Sequence, residues 1–435
     1  MNFYSTKNKN ISVPLREAVL KGIAEDGGLF MPERIPAVGK DLLNRISSLA
    51  FNEIAFEVSR LIFSPDIPDQ DLKNIINKPY YFSSPIIKLN KNLYVLELFH
   101  GPTMAFKDFG ARFTATLISY FVKDEENDLT ILVATSGDTG SAVASAFYKM
   151  PKIKIVLLYP QGKISEMQEK QITTYGENVT ALEVNGTFDD CQSLVKSAFA
   201  DVELNKKMIL SSSNSINIAR LLPQAFYYFS AYAQLEDKSK PLVFSVPSGN
   251  FGNLTAGLIA FKMGLPVYKF VAAVNANNVF PSYLKSGKFN PKPSVKTLSN
   301  AMDVGNPSNF FRITDLLGTN HELVGRVIFS ESFSDRQTVN AIKEIMQKFN
   351  YIMDPHGAVG YLALKKFINE SNLENYNGII LETAHPAKFI NIVESAVERE
   401  IEMPDSLKSC LEKKKSAVKI PNRFYDFKEY LLSRN

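Results

Sequence analysis

Short apolar runs alternate with amphipathic stretches along most of this chain, and that alternation sets its expected fold. Residues 93–99, Leu-Tyr-Val-Leu-Glu-Leu-Phe, read as a buried strand, and behind them Phe109, Phe113, Leu117 and Tyr120 recur at helical spacing. A strand at 130–134 leads to a helix from Ser141, one at 153–159 to a helix over 165–175, and one at 179–184 to a helix over 189–202. A second set follows the polar stretch 236–240: strand 242–246, a helix through Leu258, strand 270–274 and, later, strand 378–382. Strand–helix alternation of this kind implies parallel sheets with right-handed crossovers, an α/β fold. Ahead of it the pattern is mostly helical, with 42–63 amphipathic and Pro65, Pro68 and Pro79 marking the exit.

The chain has 435 residues, too many for one core. Three stretches are expected: a mainly helical extension over 1–85, an α/β domain over 86–240, and a second α/β domain with C-terminal helices over 241–435. Residues 275–309, rich in Asn, Pro, Ser and Lys, read as a long surface excursion, either a functional loop or a bland insertion. Hydrophobic content of 45% and charged content of 22% are ordinary for a globular chain. A net charge of +4 is slight for this length, and the one basic run, 413–415, reads as a solvated helix end, so no nucleic-acid partner is expected. Cys191 and Cys410 are too few for a disulfide framework or a metal site, which points to a reducing cytoplasm. No apolar run is long enough to span a membrane, and residues 1–7 lack the apolar core of a signal peptide.

The chemistry concentrates at strand ends. In residues 100–110, His-Gly-Pro-Thr-Met-Ala-Phe-Lys-Asp-Phe-Gly, Lys107 falls in the first turn of a helix behind a Gly-Pro loop. The amides there disfavour an ammonium, and a neutral amine is what carbonyl capture needs. Two further strands end alike: 134–140 is Ala-Thr-Ser-Gly-Asp-Thr-Gly, and 246–253 is Val-Pro-Ser-Gly-Asn-Phe-Gly-Asn. Each is a Ser-Gly-x-x-Gly turn opening a helix, whose unpaired amides suit a phosphate or carboxylate. Either loop alone is also a common glycine turn; with Lys107 they describe a lysine facing two anion cradles. A third strand end, 381–388, Leu-Glu-Thr-Ala-His-Pro-Ala-Lys, carries Thr383 and His385. Thr383 could be an ordinary strand threonine, and His385 could simply cap the next helix.

Asp138-Thr139-Gly140-Ser141 matches the aspartic-protease signature, but that chemistry needs two such aspartates and the chain has no second copy. Neither glycine loop carries the Gly-Lys-Ser/Thr ending of a P-loop. None of the four histidines has metal-ligand spacing with another His or Cys, so no metal is expected.

Taken together, the motifs resemble the threonine synthase family, in its longer bacterial and fungal form, among the fold-type-II pyridoxal-phosphate enzymes. The resemblance runs nearly end to end: 18–30 (Ala-Val-Leu-Lys-Gly-Ile-Ala-Glu-Asp-Gly-Gly-Leu-Phe), 101–110, 135–142, 214–220 (Asn-Ser-Ile-Asn-Ile-Ala-Arg), 248–253, 354–360 (Asp-Pro-His-Gly-Ala-Val-Gly) and 383–389. It implies two open, mostly parallel sheets flanked by helices, pyridoxal 5'-phosphate as cofactor, and O-phospho-L-homoserine as a small-molecule substrate converted with water to L-threonine and phosphate. It further implies that Lys107 holds the cofactor and moves protons. Gly249, Asn250, Phe251, Gly252 and Asn253 would cradle the cofactor phosphate, and Thr383 would bond the pyridine nitrogen. Ser136, Gly137 and Thr139 would receive the substrate carboxylate, with Asp138 near the cofactor hydroxyl. Arg220, Asn217 and Arg112 are the candidates for the substrate phosphate, Arg112 being equally readable as a surface helix arginine. A monomer or homodimer is expected. Two alternatives stay open: a related phospholyase or dehydratase releasing 2-ketobutyrate, and a non-catalytic metabolite-binding protein on the same scaffold.

Overall fold

The computed structural model describes residues 1–64 and 66–434, so Pro65, expected to mark a helix exit, lies outside the described residues. Fourteen strands are formed among them: β1 (Asn2–Ser5), β2 (Ser12–Pro14), β3 (Phe30–Pro32), β4 (Ile86–Lys88), β5 (Leu93–Glu97), β6 (Leu129–Ala134), β7 (Ile153–Pro160), β8 (Val179–Asn185), β9 (Ile209–Ser212), β10 (Leu242–Pro247), β11 (Lys269–Val274), β12 (Ile328–Ser332), β13 (Asn377–Glu382) and β14 (Val418–Pro421). The main apolar runs in the sequence became strands at or within a residue or two of their expected bounds. The chain groups into two compact units, one built mainly from 31–106 and 221–402, the other from 2–30, 107–220 and 403 onward.

The first unit holds a six-stranded sheet in the order β12-β11-β10-β13-β5-β4. Its pairs are parallel apart from β4 against β5, as the alternation of strands and helices requires. β13 sits between β10 and β5, pairing Val243 with Gly378 on one side and Leu93 with Gly378 on the other. Val95, Val243, Val271, Ile342, Val359 and Ile380 are buried together in the core of this unit. Strands covered on both faces have no use for polar alternation, which is why they read as continuous apolar runs.

The second unit holds a five-stranded, all-parallel sheet in the order β14-β8-β7-β6-β9. Leu132, Leu158, Leu182, Leu194, Ala198 and Phe427 pack in its core. Each fully buried leucine of this kind contributes about 1.5–3 kcal/mol, so truncating one to Ala is costly. The 413–415 run differs from its reading as a solvated end: Lys415 Nζ lies 2.7 Å from Glu169 and 3.0 Å from the buried Glu183.

Three local departures have simple causes. The amphipathic stretch 42–63 is two helices, Lys40–Arg45 and Phe51–Phe63, joined by a 3-10 turn at Ile46–Ser48. Ala50 is extended, and the Glu53 carboxylate accepts its N–H at 2.8 Å, which starts a new helix there. The helix expected from Ser141 begins at Asp138, because Gly137, at φ 133°, completes the turn early and its carbonyl takes the Ser141 N–H at 3.0 Å. The 275–309 excursion is anchored inward: Asn275, Thr297 and Ser299 are buried and Asn275 Nδ2 donates to Asp303 at 2.9 Å. Its first part also carries a helix, Val279–Ser286.

Candidate active site

In the first unit, the loop before Lys107 is fastened to the end of β13. Leu98 N–H donates to the Glu382 carbonyl at 3.0 Å, Phe106 N–H to the Thr383 carbonyl at 2.9 Å, and His385 N–H to the Met104 carbonyl at 3.1 Å. Ala105 bridges Ala384, and the buried Lys388 Nζ reaches the Thr103 carbonyl at 3.1 Å. Met104 adopts φ 54°, a left-handed conformation costly for a side chain with a Cβ and held only because its neighbours fix it. Thr383 is buried, and His385 caps the following 3-10 helix by accepting Ala387 N–H at 3.1 Å, so its capping role is realised. Burial lowers the His385 pKa and keeps the ring neutral. Lys107 comes directly after Phe106 and is the first residue of the Lys107–Val122 helix, as its spacing indicates.

The 248–253 loop follows β10 in the same unit. Ser248 N–H donates to the Ala273 carbonyl at 2.8 Å and its hydroxyl to the Val246 carbonyl at 2.8 Å. Gly249 is required by close approach: a Cβ there would stand 2.7 Å from Met302 Cα and 2.9 Å from the Ala301 carbonyl. Asn250 Oδ1 accepts Ser308 N–H at 2.6 Å, and Asn309 Nδ2 donates to the Asn250 carbonyl at 3.0 Å. Phe251 stands in the left-handed region at φ 60°, its ring 4.7 Å from that of Phe280. The Gly252–Lys262 helix then opens with no side chain capping its amides. Asn253 Oδ1 accepts from both Tyr227 and Tyr228 hydroxyls at 2.7 Å, which orients the amide and leaves its buried Nδ2 without an acceptor.

The other anion loop belongs to the second unit. Thr135 Oγ1 accepts Gly137 N–H at 2.9 Å and Gly140 N–H at 2.8 Å, folding the turn back on itself. Ser136 is exposed at its tip and Thr139 is half-buried. Asp138, the first residue of the Asp138–Phe147 helix, is buried and takes a bond from Gln168 Nε2 at 3.3 Å. Gly137, the residue before this helix, has no side chain to cap it, and the Thr135 hydroxyl takes one of its first-turn amides, that of Gly140.

Arg220 is buried in the same unit, and its Nη1 donates to the Ser213 carbonyl at 2.5 Å. Burial pulls its guanidinium down to about 10, a shift that the neighbouring Asp108 carboxylate opposes. Asn217 gives its amide hydrogens to the Val19 and Ser212 carbonyls, at 2.9 and 2.8 Å, and accepts Ala219 N–H at 2.9 Å. Arg112 is half-buried on the Lys107–Val122 helix. Near it Tyr175 is pushed up to about 12 by burial, with Ser145, Asp108, Cys410 and Arg112 around it. Asp108 and Tyr175 were not singled out from the sequence. Asp108 stood inside the lysine motif, one residue along, but Tyr175 carried no signal.

Comparison with known proteins settles the family. Residues 74–381 match the model of pyridoxal-phosphate-dependent enzymes, residues 2–80 that of the threonine synthase N terminus, and residues 357–431 that of the threonine synthase C-terminal region. The threonine synthase of Haemophilus influenzae is 44% identical over 434 residues, covering 99% of this chain and all of that one. The chain belongs to the threonine synthase family. The crystal structure of threonine synthase from Escherichia coli superposes with a TM-score of 0.93 at 39% identity over all of both chains. That of Brucella melitensis, solved with pyridoxal phosphate bound, superposes at 0.91 with 32% identity, over 99% of this chain and 98% of that one.

As a threonine synthase family member the chain is a fold-type-II, pyridoxal-phosphate-dependent enzyme. The first unit fits such a cofactor on its own terms. An uncapped helix start lies beside a glycine that leaves the backbone bare, and the buried Asn253 Nδ2 is a donor still lacking an acceptor, as a phosphate-holding loop needs.

Proposed function

We propose that this threonine synthase family chain converts O-phospho-L-homoserine and water to L-threonine and phosphate, with Lys107 carrying the pyridoxal phosphate. The observation that carries the residue assignment is the Phe106 N–H bond to the Thr383 carbonyl, which ties the backbone just ahead of the lysine to the strand end of the pyridine partner. When bound, the cofactor supplies an electron sink for carbanions at substrate Cα and Cβ. Lys107 would move protons between the reacting carbons, and its place in the first turn of the Lys107–Val122 helix, where the amides disfavour an ammonium, suits that task. Thr383 offers a neutral hydroxyl to the pyridine nitrogen, and Gly249, Asn250, Phe251, Gly252 and Asn253 form the phosphate cradle, with Asn253 Nδ2 and the helix amides as donors.

Ser136, Gly137 and Thr139 bind the substrate carboxylate through the opening of the Asp138–Phe147 helix, while Asp138, steadied by Gln168, meets the cofactor hydroxyl. Arg220 binds the substrate phosphate as a buried cation, assisted by Arg112. Asn217, whose amide hydrogens are already given to carbonyls, contributes by holding the turn that carries Arg220. Two free cysteines support the cytoplasm as the place of action, as a monomer or homodimer.

The test is release of threonine and phosphate from phosphohomoserine by wild type and K107A. Wild type should be yellow and form threonine in step with phosphate. K107A should lose the visible absorption of lysine-bound cofactor and fall by roughly a hundredfold or more, the range removed with a general acid–base group. Phosphate released with 2-ketobutyrate in place of threonine would overturn the product assignment. A yellow, active K107A would overturn that of the lysine.

A further inference from the structure

The 354–360 motif takes no part in the roles above, yet its first and third residues are among the most deeply buried polar groups of the first unit. Asp354 and His356 are both essentially inaccessible to solvent, as is Glu382 opposite them. Asp354 caps the Pro355–Ser371 helix by accepting His356 N–H at 2.5 Å. The same Oδ1 lies 2.5 Å from His356 Nδ1, and Oδ2 accepts Ala384 N–H at 3.3 Å. At the other side of the ring, Nε2 accepts Ala301 N–H at 3.2 Å. A ring nitrogen that accepts carries no proton, so the proton of the neutral imidazole is on Nδ1 and is donated to Asp354. Ala301 and Met302 are the backbone atoms that press on Gly249. A continuous line therefore runs from Ala384, next to Thr383, through Asp354 and His356 to the turn behind the 249–253 loop.

We propose that Asp354 and His356 form a positioning dyad that braces the Asn300–Met302 turn against Gly249 and so fixes the phosphate loop relative to the strand end bearing Thr383. Neither residue touches the cofactor's reacting atoms. The dyad is attached at Ala301, in the turn packed against the loop after β10, and at Ala384, beyond the end of β13, and the backbone pairing of β10 with β13 ends before either loop begins. A buried, singly oriented imidazole spans that gap with one donor and one acceptor, which a carboxamide can imitate at only one end at a time. The brace bears on the cofactor only if the 249–253 loop holds its phosphate, as proposed above.

The dyad should govern how much the phosphate adds to binding, so the measurement is the ratio of dissociation constants for pyridoxal and pyridoxal phosphate on the full chain freed of cofactor. H356N can keep the Asp354 bond but not the acceptor for Ala301; H356Q can keep that acceptor. The preference for pyridoxal phosphate should fall roughly tenfold in H356N, the scale of one lost buried hydrogen bond, and stay within about twofold of wild type in H356Q. N253A, which touches the loop directly, should lower the same ratio. If N253A lowers it while H356N does not, the dyad is overturned and the phosphate loop stands. If H356Q falls as far as H356N, the shape of the ring rather than its acceptor matters, and the proposal fails. If N253A leaves the ratio unchanged, the loop assignment fails and the dyad with it. Should H356N not fold, D354N replaces it: its amide oxygen can still accept from the ring, but its nitrogen cannot accept Ala384 N–H, so the link to the strand end bearing Thr383 is cut, and an unchanged ratio there overturns the brace.

Discussion

Glu382 occupies a position where an ionised carboxylate is hard to keep. It is fully buried, it accepts Asp354 N–H at 2.6 Å, and a Cβ on Gly357 would lie 1.7 Å from its second oxygen, so the helix passes almost against it. Burial, and then the nearby Asp354 carboxylate, raise its pKa well above the ordinary range. Above pH 4.5 the native chain therefore holds a proton that the unfolded chain releases, so this group's contribution to stability declines as pH rises toward the raised pKa. E382Q keeps the acceptor without the charge. Its melting temperature should gain on wild type as the pH is raised from 5 to 9, each unit of raised pKa being equivalent to about 1.4 kcal/mol. A constant offset across that range would show that Glu382 is ionised in the native chain. The sequence displayed Glu382, Asp354 and His356 in plain motifs, but not their partnership. Partners 28 residues apart meet only through the sheet, and no periodicity carries that distance. The place of Lys107 at a helix start was legible because its signal is local: a strand, a Gly-Pro turn and a helical period behind it.

At the scale of elements, the helices Asp335–Phe349 and Pro355–Ser371 are joined by Glu344. Its carboxylate takes bonds from Lys348 at 2.6 Å, Lys365 at 2.8 Å and the Tyr361 hydroxyl at 2.8 Å. Partial burial would raise its pKa, but these three bonds outweigh it and draw the group down to about 2. A depressed carboxylate stabilises the fold above its unfolded pKa of 4.5 and loses that contribution as pH falls toward 2. E344Q should therefore cost on the order of 1 kcal/mol at neutral pH, discounted for its partial exposure, with the difference closing in acid. Urea titrations at pH 7 and pH 3 measure it. Elements with long apolar runs were legible, whereas β9 and β14 were not. β14 spans Val418–Pro421, is mostly exposed and ends in proline, so only its pairing with β8 makes it a strand. The stretch 42–63 had the right face and the wrong continuity, because a capping glutamate is a weaker mark than a hydrophobic period.

For the whole molecule, ligand linkage gives the clearest expectation. A cofactor that binds only the folded chain raises stability by about 2.7 kcal/mol at a hundred times its dissociation constant. Pyridoxal phosphate should thus raise the melting temperature of the wild-type chain, and by less in K107A, where only the non-covalent part remains; differential scanning fluorimetry reads both. The two units are not successive along the chain, which passes from one to the other at 30–31, 106–107, 220–221 and 402–403. Strand–helix alternation is blind to this, since it reports neighbours in sequence and not which sheet a strand will join.

The central place of β13 has a consequence for synthesis on the ribosome. Its two neighbours are β5 and β10, and no strand made before residue 377 joins them. Until that strand emerges, the nascent chain carries two partial sheets, each with an unpaired apolar edge, the kind of surface that chaperones hold and aggregates recruit. The first unit therefore cannot mature in the order in which it is translated. Its last-made strand is the one that joins its earliest and its middle portions, and the same strand delivers Thr383 to the finished sheet.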